Sequence, residues 1–225
     1  SQHLSKVLVI FFIDMVEDPI NIPTVSGVVD IDVDTAYSQI KDMRIHGAGR
    51  IARLAASALK NYVENTNSSD REQFYNNIMK EGKKLRSARP TAVSLPNGVN
   101  IVLASTRKSY NAGESSDNIK EVTIKAAEQF VHNSLDAYNK IGEYGGKRVR
   151  NGDTVITICN SEAAISILKK AHDMGKGIKI ICCETRPLFQ GHKTAATLSK
   201  HGCDVTIIID SAVRRFMDKV DRAVC

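Results

Sequence analysis

Val155-Ile156-Thr157-Ile158-Cys159-Asn160-Ser161-Glu162-Ala163-Ala164-Ile165 decides the fold. Its first five residues are an apolar, β-branched run of strand length, and those after Asn160 begin a helical pattern with Ser161 placed to cap it. A buried strand that passes directly into a helix is the unit of a parallel α/β sheet. In such sheets the carboxyl ends of the strands face the ligand crevice, so Cys159 stands where a thiol can meet substrate. The first turn of the next helix adds outward N–H groups and partial positive charge, which favour a thiolate and a phosphate alike. An inert cysteine is the competing reading, because unpaired cysteines are commonly buried. These eleven residues leave both open.

Working outward, the pattern repeats. Strands are expected over 155–159, 178–183 and 204–209, with helices through Leu168 and Ala171 and over 194–201. A short helix over 213–219 leads to a further strand starting at Ala223-Val224-Cys225. Repeated βα units of this kind predict a Rossmann-like parallel sheet. The chain stops as the last strand begins, so the α/β domain is expected to be truncated at its C-terminus. A sheet left with an unpaired edge argues for a homo-oligomer.

Upstream the texture is helical. A helix capped near Asp34 carries Ile40, Met43 and Ile45 as candidates for its buried face, Gly47-Ala48-Gly49 interrupts it, and a small-residue helix continues over 51–59. Asp70 caps a helix through Phe74, Ile78 and Met79 that ends near Lys84-Leu85-Arg86. Pro90 suits a first helical position. A polar loop over 108–117 precedes a long helix over 119–141. Gly145-Gly146 and Asn151-Gly152-Asp153 mark the change to alternating elements. The expected organisation is an irregular segment over 1–33, a helical domain over 34–150, and the first part of a Rossmann-like domain over 151–225. The run Val7-Leu8-Val9-Ile10-Phe11-Phe12-Ile13 ends at Asp14 and is too short to span a bilayer, so no membrane association is expected.

Composition narrows the function classes. With 225 residues and 42% hydrophobic content the chain can bury at least one sizeable core. Its five cysteines, Cys159, Cys182, Cys183, Cys203 and Cys225, form no C-x-x-C pair and no zinc-spaced cluster, so no metal is expected. Cys182 and Cys183 are neighbours in an expected strand and point to opposite faces. An odd count without a recognisable signal peptide points to reduced thiols in a cytoplasm. The net charge of +6 is spread over helix faces such as Lys83-Lys84, Lys169-Lys170 and Arg214-Arg215. Aromatic stacking platforms are missing, which argues against nucleic acid. The basic balance also suits a small phosphorylated substrate.

Four segments could carry chemistry. In His46-Gly47-Ala48-Gly49-Arg50 the glycines allow close backbone approach and the following helix offers N–H groups to a phosphate, yet a packing or kink role is equally open. Arg89 places a forked guanidinium before an expected helix start, as a phosphate clamp or a surface arginine. Glu184 and Arg186 follow a buried strand and could orient a ligand, but are expected to pair and shape a loop stiffened by Pro187. Asp210, after the next strand, is expected to cap a helix, with a polar ligand contact as the alternative. His192 and His201 are expected on the surface without ligand partners.

Taken together, His46-Gly47-Ala48-Gly49-Arg50-Ile51-Ala52-Arg53, Arg89-Pro90-Thr91-Ala92-Val93, the Cys159 stretch, the 184–191 loop and the 205–212 segment resemble archaeal ribose-1,5-bisphosphate isomerase. That enzyme sits in the superfamily of methylthioribose-1-phosphate isomerase and the α, β and δ subunits of translation initiation factor 2B. The resemblance runs from about Tyr37 to Cys225. It implies a helical N-terminal domain, a Rossmann-like C-terminal domain and a substrate cleft between them. It also implies that Cys159 is the catalytic thiol, and that His46, Gly47, Ala48, Gly49, Arg89, Ser161, Glu162 and Ala163 hold the phosphates and sugar. The implied reaction converts ribose 1,5-bisphosphate to ribulose 1,5-bisphosphate in nucleotide metabolism. No cofactor is implied, although AMP stimulates some relatives.

Two departures stand out. His46 occupies a place where the isomerases are expected to carry arginine. The catalytic aspartate is expected in a Gly-Ala-Asp element directly after the strand starting at Ala223, with a substrate-binding Asn-Lys pair beyond it, and Cys225 is the last residue of this sequence. The alternative is therefore a non-catalytic regulatory relative of the translation initiation factor 2B subunits, binding a nucleotide or a translation GTPase.

Overall fold

In a computed structural model of the chain the described residues are 28–45, 47–67 and 69–225. Most of the expected irregular segment over 1–33 therefore lies outside the described residues. The described residues belong to two compact units that divide at Asp136 and Ala137.

The first unit is helical. Helix α1 (Val33–Lys41) is capped by Asp32, whose carboxylate accepts the Thr35 N–H at 2.8 Å and the Thr35 hydroxyl at 2.7 Å. The cap thus lies two residues before the expected Asp34, which instead pairs with Lys84. Helix α2 (Ala48–Asn65) is buried along most of its length. Its run of Ala52, Ala55, Ala56 and Ala58 lets neighbouring helices approach closely on several sides. Asp70 caps α3 (Arg71–Ser87) as expected, accepting the Gln73 N–H at 2.9 Å. Ile40, Leu54, Leu59, Phe74, Ile78 and Leu95 centre the core.

Pro90 does not open a helix. The Arg89 carbonyl accepts the Ala92 N–H at 3.1 Å, closing a turn with proline at its second position, where the preset φ is as useful as at a helix start. Helix α4 (Ser94–Asn111) begins only after it and runs into the stretch expected to be a loop. Tertiary contacts override the Ser/Asn-rich composition there. The Arg71 guanidinium donates to the Tyr110 and Glu114 carbonyls, and Tyr75 stacks on Tyr110 with ring centres 3.9 Å apart.

Helix α5 (Ser116–Arg148) is longer than expected and passes straight through Gly145-Gly146. Its last turns belong to the second unit, so the division falls inside the helix and not near residue 150. The glycines are contact points, not breakers. A Cβ on Gly142 would lie 2.9 Å from the Ser166 carbonyl oxygen, and one on Gly145 would lie 2.4 Å from Cγ1 of Ile167. Only glycine permits this approach of α5 to the following helix.

The second unit is α/β. Strand β1 (Thr154–Thr157) leads to α6 (Glu162–Asp173), β2 (Lys179–Cys183), α7 (Gln190–Lys200) and β3 (Asp204–Ile208). A short helical run over 210–219, with α8 (Val213–Phe216) at its centre, precedes β4 (Arg222–Val224). All pairings are parallel, in the order β3-β2-β1-β4, with Thr157 opposite Cys182 and Cys182 opposite Ile207. Val155, Ile180 and Cys182 pack with Leu168, Ala195 and Leu198 on one side of the sheet. Ile156, Ile181, Cys183 and Ile208 pack with Val213 and Phe216 on the other. Cys182 and Cys183 thus face opposite ways, as the pleat requires.

Candidate active site

Strand β1 ends at Thr157, two residues short of the expected boundary, and this releases Cys159 from the sheet. Cys159 adopts a left-handed backbone with φ 66°, a conformation that costs a non-glycine residue about 1–2 kcal/mol. Its side chain is exposed, so the reading of an inert buried cysteine is corrected.

The strained turn is held by the loop between β2 and α7. The Cys159 N–H donates to Oγ1 of Thr185 at 2.9 Å. The Cys159 carbonyl accepts the Thr194 hydroxyl at 2.7 Å. The thiol donates to Oε1 of Gln190 at 2.7 Å. Thr185 is itself left-handed, with φ 60°, and its hydroxyl donates to the Cys183 carbonyl at 3.1 Å. Every polar group of Cys159 is therefore tied to one loop and the helix that follows it.

Helix α7 reaches this position because of Gly191. A Cβ there would lie 1.7 Å from the Cys183 carbonyl oxygen, so the first helical turn can rest on the end of β2 only with glycine. This brings the start of α7 to Gln190, four residues before the expected Thr194. Glu184 and Arg186 pair as expected, Nε to Oε1 at 2.6 Å, with Glu184 buried.

Asp210 does not cap its own helical run, which has no side-chain cap. Its two carboxylate oxygens accept the N–H groups of Arg186 at 2.8 Å and Thr185 at 2.9 Å. Those bonds hold the Asp210 carboxyl below the usual aspartate range.

The remaining thiols are poor nucleophile candidates. Burial pushes Cys182 up to about 12 and Cys203 up to about 11, and Cys183 is raised by burial as well. Cys225 is exposed and stands directly after β4. His201 is not without a partner, since its Nε2 lies 2.7 Å from Oδ1 of Asp173. His192 packs edge-on against Phe189, with ring centres 5.5 Å apart.

At the start of α6, the Ser161 hydroxyl accepts the Ala164 N–H at 3.3 Å, the capping role read from its position. Glu162 and Ala163 are half-buried in the first helical turn, whose N–H groups have no intrahelical partner by helix geometry.

In the helical unit, Gly47 occupies the N-cap of α2 with φ 100°, a backbone that favours glycine, and has no side-chain cap. Ala48 is exposed and Gly49 buried. The Ser94 hydroxyl donates to the Ala48 carbonyl at 2.8 Å, which ties the exit of the Arg89 turn to the start of α2. Arg89 itself is half-buried. His46 lies outside the described residues. Among the described residues no three or more His, Cys, Asp or Glu side chains gather as a metal site. Likewise no described helix is long and apolar enough to cross a membrane.

Sequence reading missed Thr185, Gln190 and Thr194 as partners of the thiol. The available signal was Gln190-Gly191 shortly after a strand, where an isolated glycine suggests a close backbone approach.

Residues 44–225 match the initiation factor 2 subunit family. The chain is 49% identical to a ribose 1,5-bisphosphate isomerase of Methanocaldococcus jannaschii, over 84% of this chain and 59% of that protein. It is 42% identical to a ribose 1,5-bisphosphate isomerase of Thermococcus kodakarensis, over 83% and 58%. Among solved structures, translation initiation factor eIF-2B subunit delta from A. fulgidus superposes with a TM-score of 0.71 at 32% identity, covering 85% of this chain and 58% of that one. The 5-methylthioribose 1-phosphate isomerase of Pyrococcus horikoshii OT3 gives 0.74 at 26% identity, covering 85% and 56%. The chain spans somewhat under three fifths of the length of these two curated relatives.

Proposed function

The chain belongs to the initiation factor 2 subunit family, and from that premise we propose that it carries the thiol-bearing part of an aldose–ketose isomerase acting on ribose 1,5-bisphosphate. The observation that carries this reading is the exposed Cys159 thiol, held by Gln190 at the carboxyl end of a parallel sheet. The similarity to curated ribose 1,5-bisphosphate isomerases supports the substrate.

The reaction breaks the C1–O4 ring bond, moves one hydrogen from C2 to C1, and passes the C2 hydroxyl proton to the released C4 oxygen so that C2 becomes a carbonyl, with no net oxidant. A proton carrier beside C1 and C2 meets that need, and Cys159 is the group proposed for it. Phosphate-binding roles are proposed for the backbone of Gly47, Ala48 and Gly49 at the start of α2, with Arg89 adding a guanidinium. Ser161, Glu162 and Ala163 are proposed to meet the sugar and its other phosphate through the first turn of α6. His46 is proposed as part of the same grip. AMP is proposed as an activator and not a consumed cofactor. A cytoplasmic homo-oligomer is the accompanying expectation.

The test is phosphorus NMR of ribose 1,5-bisphosphate incubated with the protein, with and without AMP. Conversion to ribulose 1,5-bisphosphate that disappears in Cys159→Ser supports the reading. Equal turnover by Cys159→Ser removes it. Absence of turnover by the parent, together with binding of a translation GTPase, favours the regulatory alternative.

A further inference from the structure

The hydrogen bonds around Cys159 do not stop at the loop that touches it. Thr185, which accepts the Cys159 N–H, is left-handed at φ 60°, although a β-branched residue rarely adopts that conformation. Such a residue persists only where its surroundings over-determine it. Two of those surroundings are the bonds from its own hydroxyl to the Cys183 carbonyl and from its N–H to Oδ1 of Asp210. The other oxygen of Asp210 takes the next N–H, that of Arg186. One carboxylate thus grips two consecutive backbone groups, an arrangement that a single neutral acceptor cannot reproduce.

We propose that Asp210 is a positioning residue for the Cys159 thiol, acting through Thr185. Asp210 stands two residues beyond the end of β3, two strands away from β1 in the sheet, and acts on Cys159 only through the loop it holds. Its carboxylate fixes the backbone of the β2–α7 loop, Thr185 passes that constraint to the Cys159 N–H, and the loop delivers Gln190 to the sulfur. The role rests on the reading of Cys159 as the reacting thiol. The geometric part, a carboxylate that governs how the sulfur is presented, can be measured without any turnover.

The experiment is alkylation by iodoacetamide at fixed pH, with each cysteine followed separately by peptide mass spectrometry. It is run on the full chain and on Asp210→Asn, Thr185→Val, Thr185→Ser and the double variant Asp210→Asn/Thr185→Val. Loss of one constraint lets the thiol leave Gln190, so Cys159 is expected to label roughly three- to tenfold faster in Asp210→Asn and in Thr185→Val, the size of one hydrogen bond. Thr185→Ser keeps the hydroxyl and is expected to label at the parental rate. The double variant is expected to add nothing to either single change, as befits residues in series.

Cys182, Cys183 and Cys203 are buried and report on unfolding in the same spectra. If they label along with Cys159 in Asp210→Asn, the Thr185→Val and Thr185→Ser pair decides. Parental Cys159 labelling in Thr185→Val overturns the proposal, as does a fully additive double variant. Turnover separates this inference from the functional one. Altered labelling alongside an active Cys159→Ser protein would remove the isomerase role of the thiol while leaving the positioning relationship intact.

Discussion

The Cys159 thiol donates to Oε1 of Gln190 at 2.7 Å, joining the turn after β1 to the first residue of α7. The two residues are 31 apart in sequence, and the parallel pairing of β1 with β2 brings their carboxyl ends side by side. The sulfur is exposed to solvent and still held in one place, the combination a reacting thiol needs.

Five cysteines should divide by reactivity. Exposed Cys159 and Cys225 are expected to react with iodoacetamide at pH 8, while Cys182 and Cys203, raised to about 12 and about 11, and Cys183, also raised by burial, stay protonated and unlabelled. Peptide mass spectrometry on native protein checks this. Labelling of Cys182 ahead of Cys159 would contradict the described packing.

Gly191→Ala should be among the most damaging single changes in the α/β unit. The added carbon would sit 1.7 Å from a backbone oxygen that cannot rotate away, so α7 must lift off β2. A loss of at least about 3 kcal/mol is expected, at the upper end for overpacking. Urea denaturation followed by circular dichroism measures it, and a parental midpoint would refute the close approach.

Gly142→Ala tests the contact between α5 and α6. Alanine gains about 1 kcal/mol in helix propensity over glycine. The Cβ contact of 2.9 Å with the Ser166 carbonyl oxygen opposes that gain. Overpacking against backbone costs about 1–3 kcal/mol, so a net loss is expected. A raised melting temperature would show that the helices are further apart than described.

Acid should weaken the fold through its hydrogen-bonded carboxylates. Asp153 accepts the Arg150 N–H at 2.8 Å and pairs with Arg222 of β4, and these partners outweigh desolvation to lower its folded value below the reference of 3.8. Asp32 is lowered by the Thr35 hydroxyl and then its N–H, and Asp210 by the N–H groups of Arg186 and Thr185. A depressed folded value means the stabilisation is complete above the unfolded value and lost as pH falls through the folded one. The urea midpoint is therefore expected to hold from pH 7 down to about pH 5 and to drop below pH 4. Asp153→Asn should show a shallower drop, and an unchanged slope would argue against the pairing with Arg222.

The strand-to-helix alternation after residue 154, the cap at Ser161 and the cap at Asp70 all turn on local physics that a sequence displays, whereas the exposure of Cys159 was decided by the structure. Periodicity follows from which faces must be buried, and caps follow from orphan N–H groups. These determined the α/β class, the helical unit before it and the position of the candidate thiol. The sequence by itself did not determine that Gly142, Gly145 and Gly146 continue a helix, that Pro90 closes a turn, or that Arg71 holds 108–111 helical. The glycines and 108–111 depend on distant segments, the Ser166 carbonyl and the Arg71 guanidinium, while at Pro90 the local Ala92 N–H bond to the Arg89 carbonyl selects a turn over a helix start. The same holds for the partners of Cys159, because Thr185, Gln190, Thr194 and Asp210 come together only when parallel strands stack their carboxyl ends. Local sequence sets what each segment can do, and tertiary packing decides which polar groups meet.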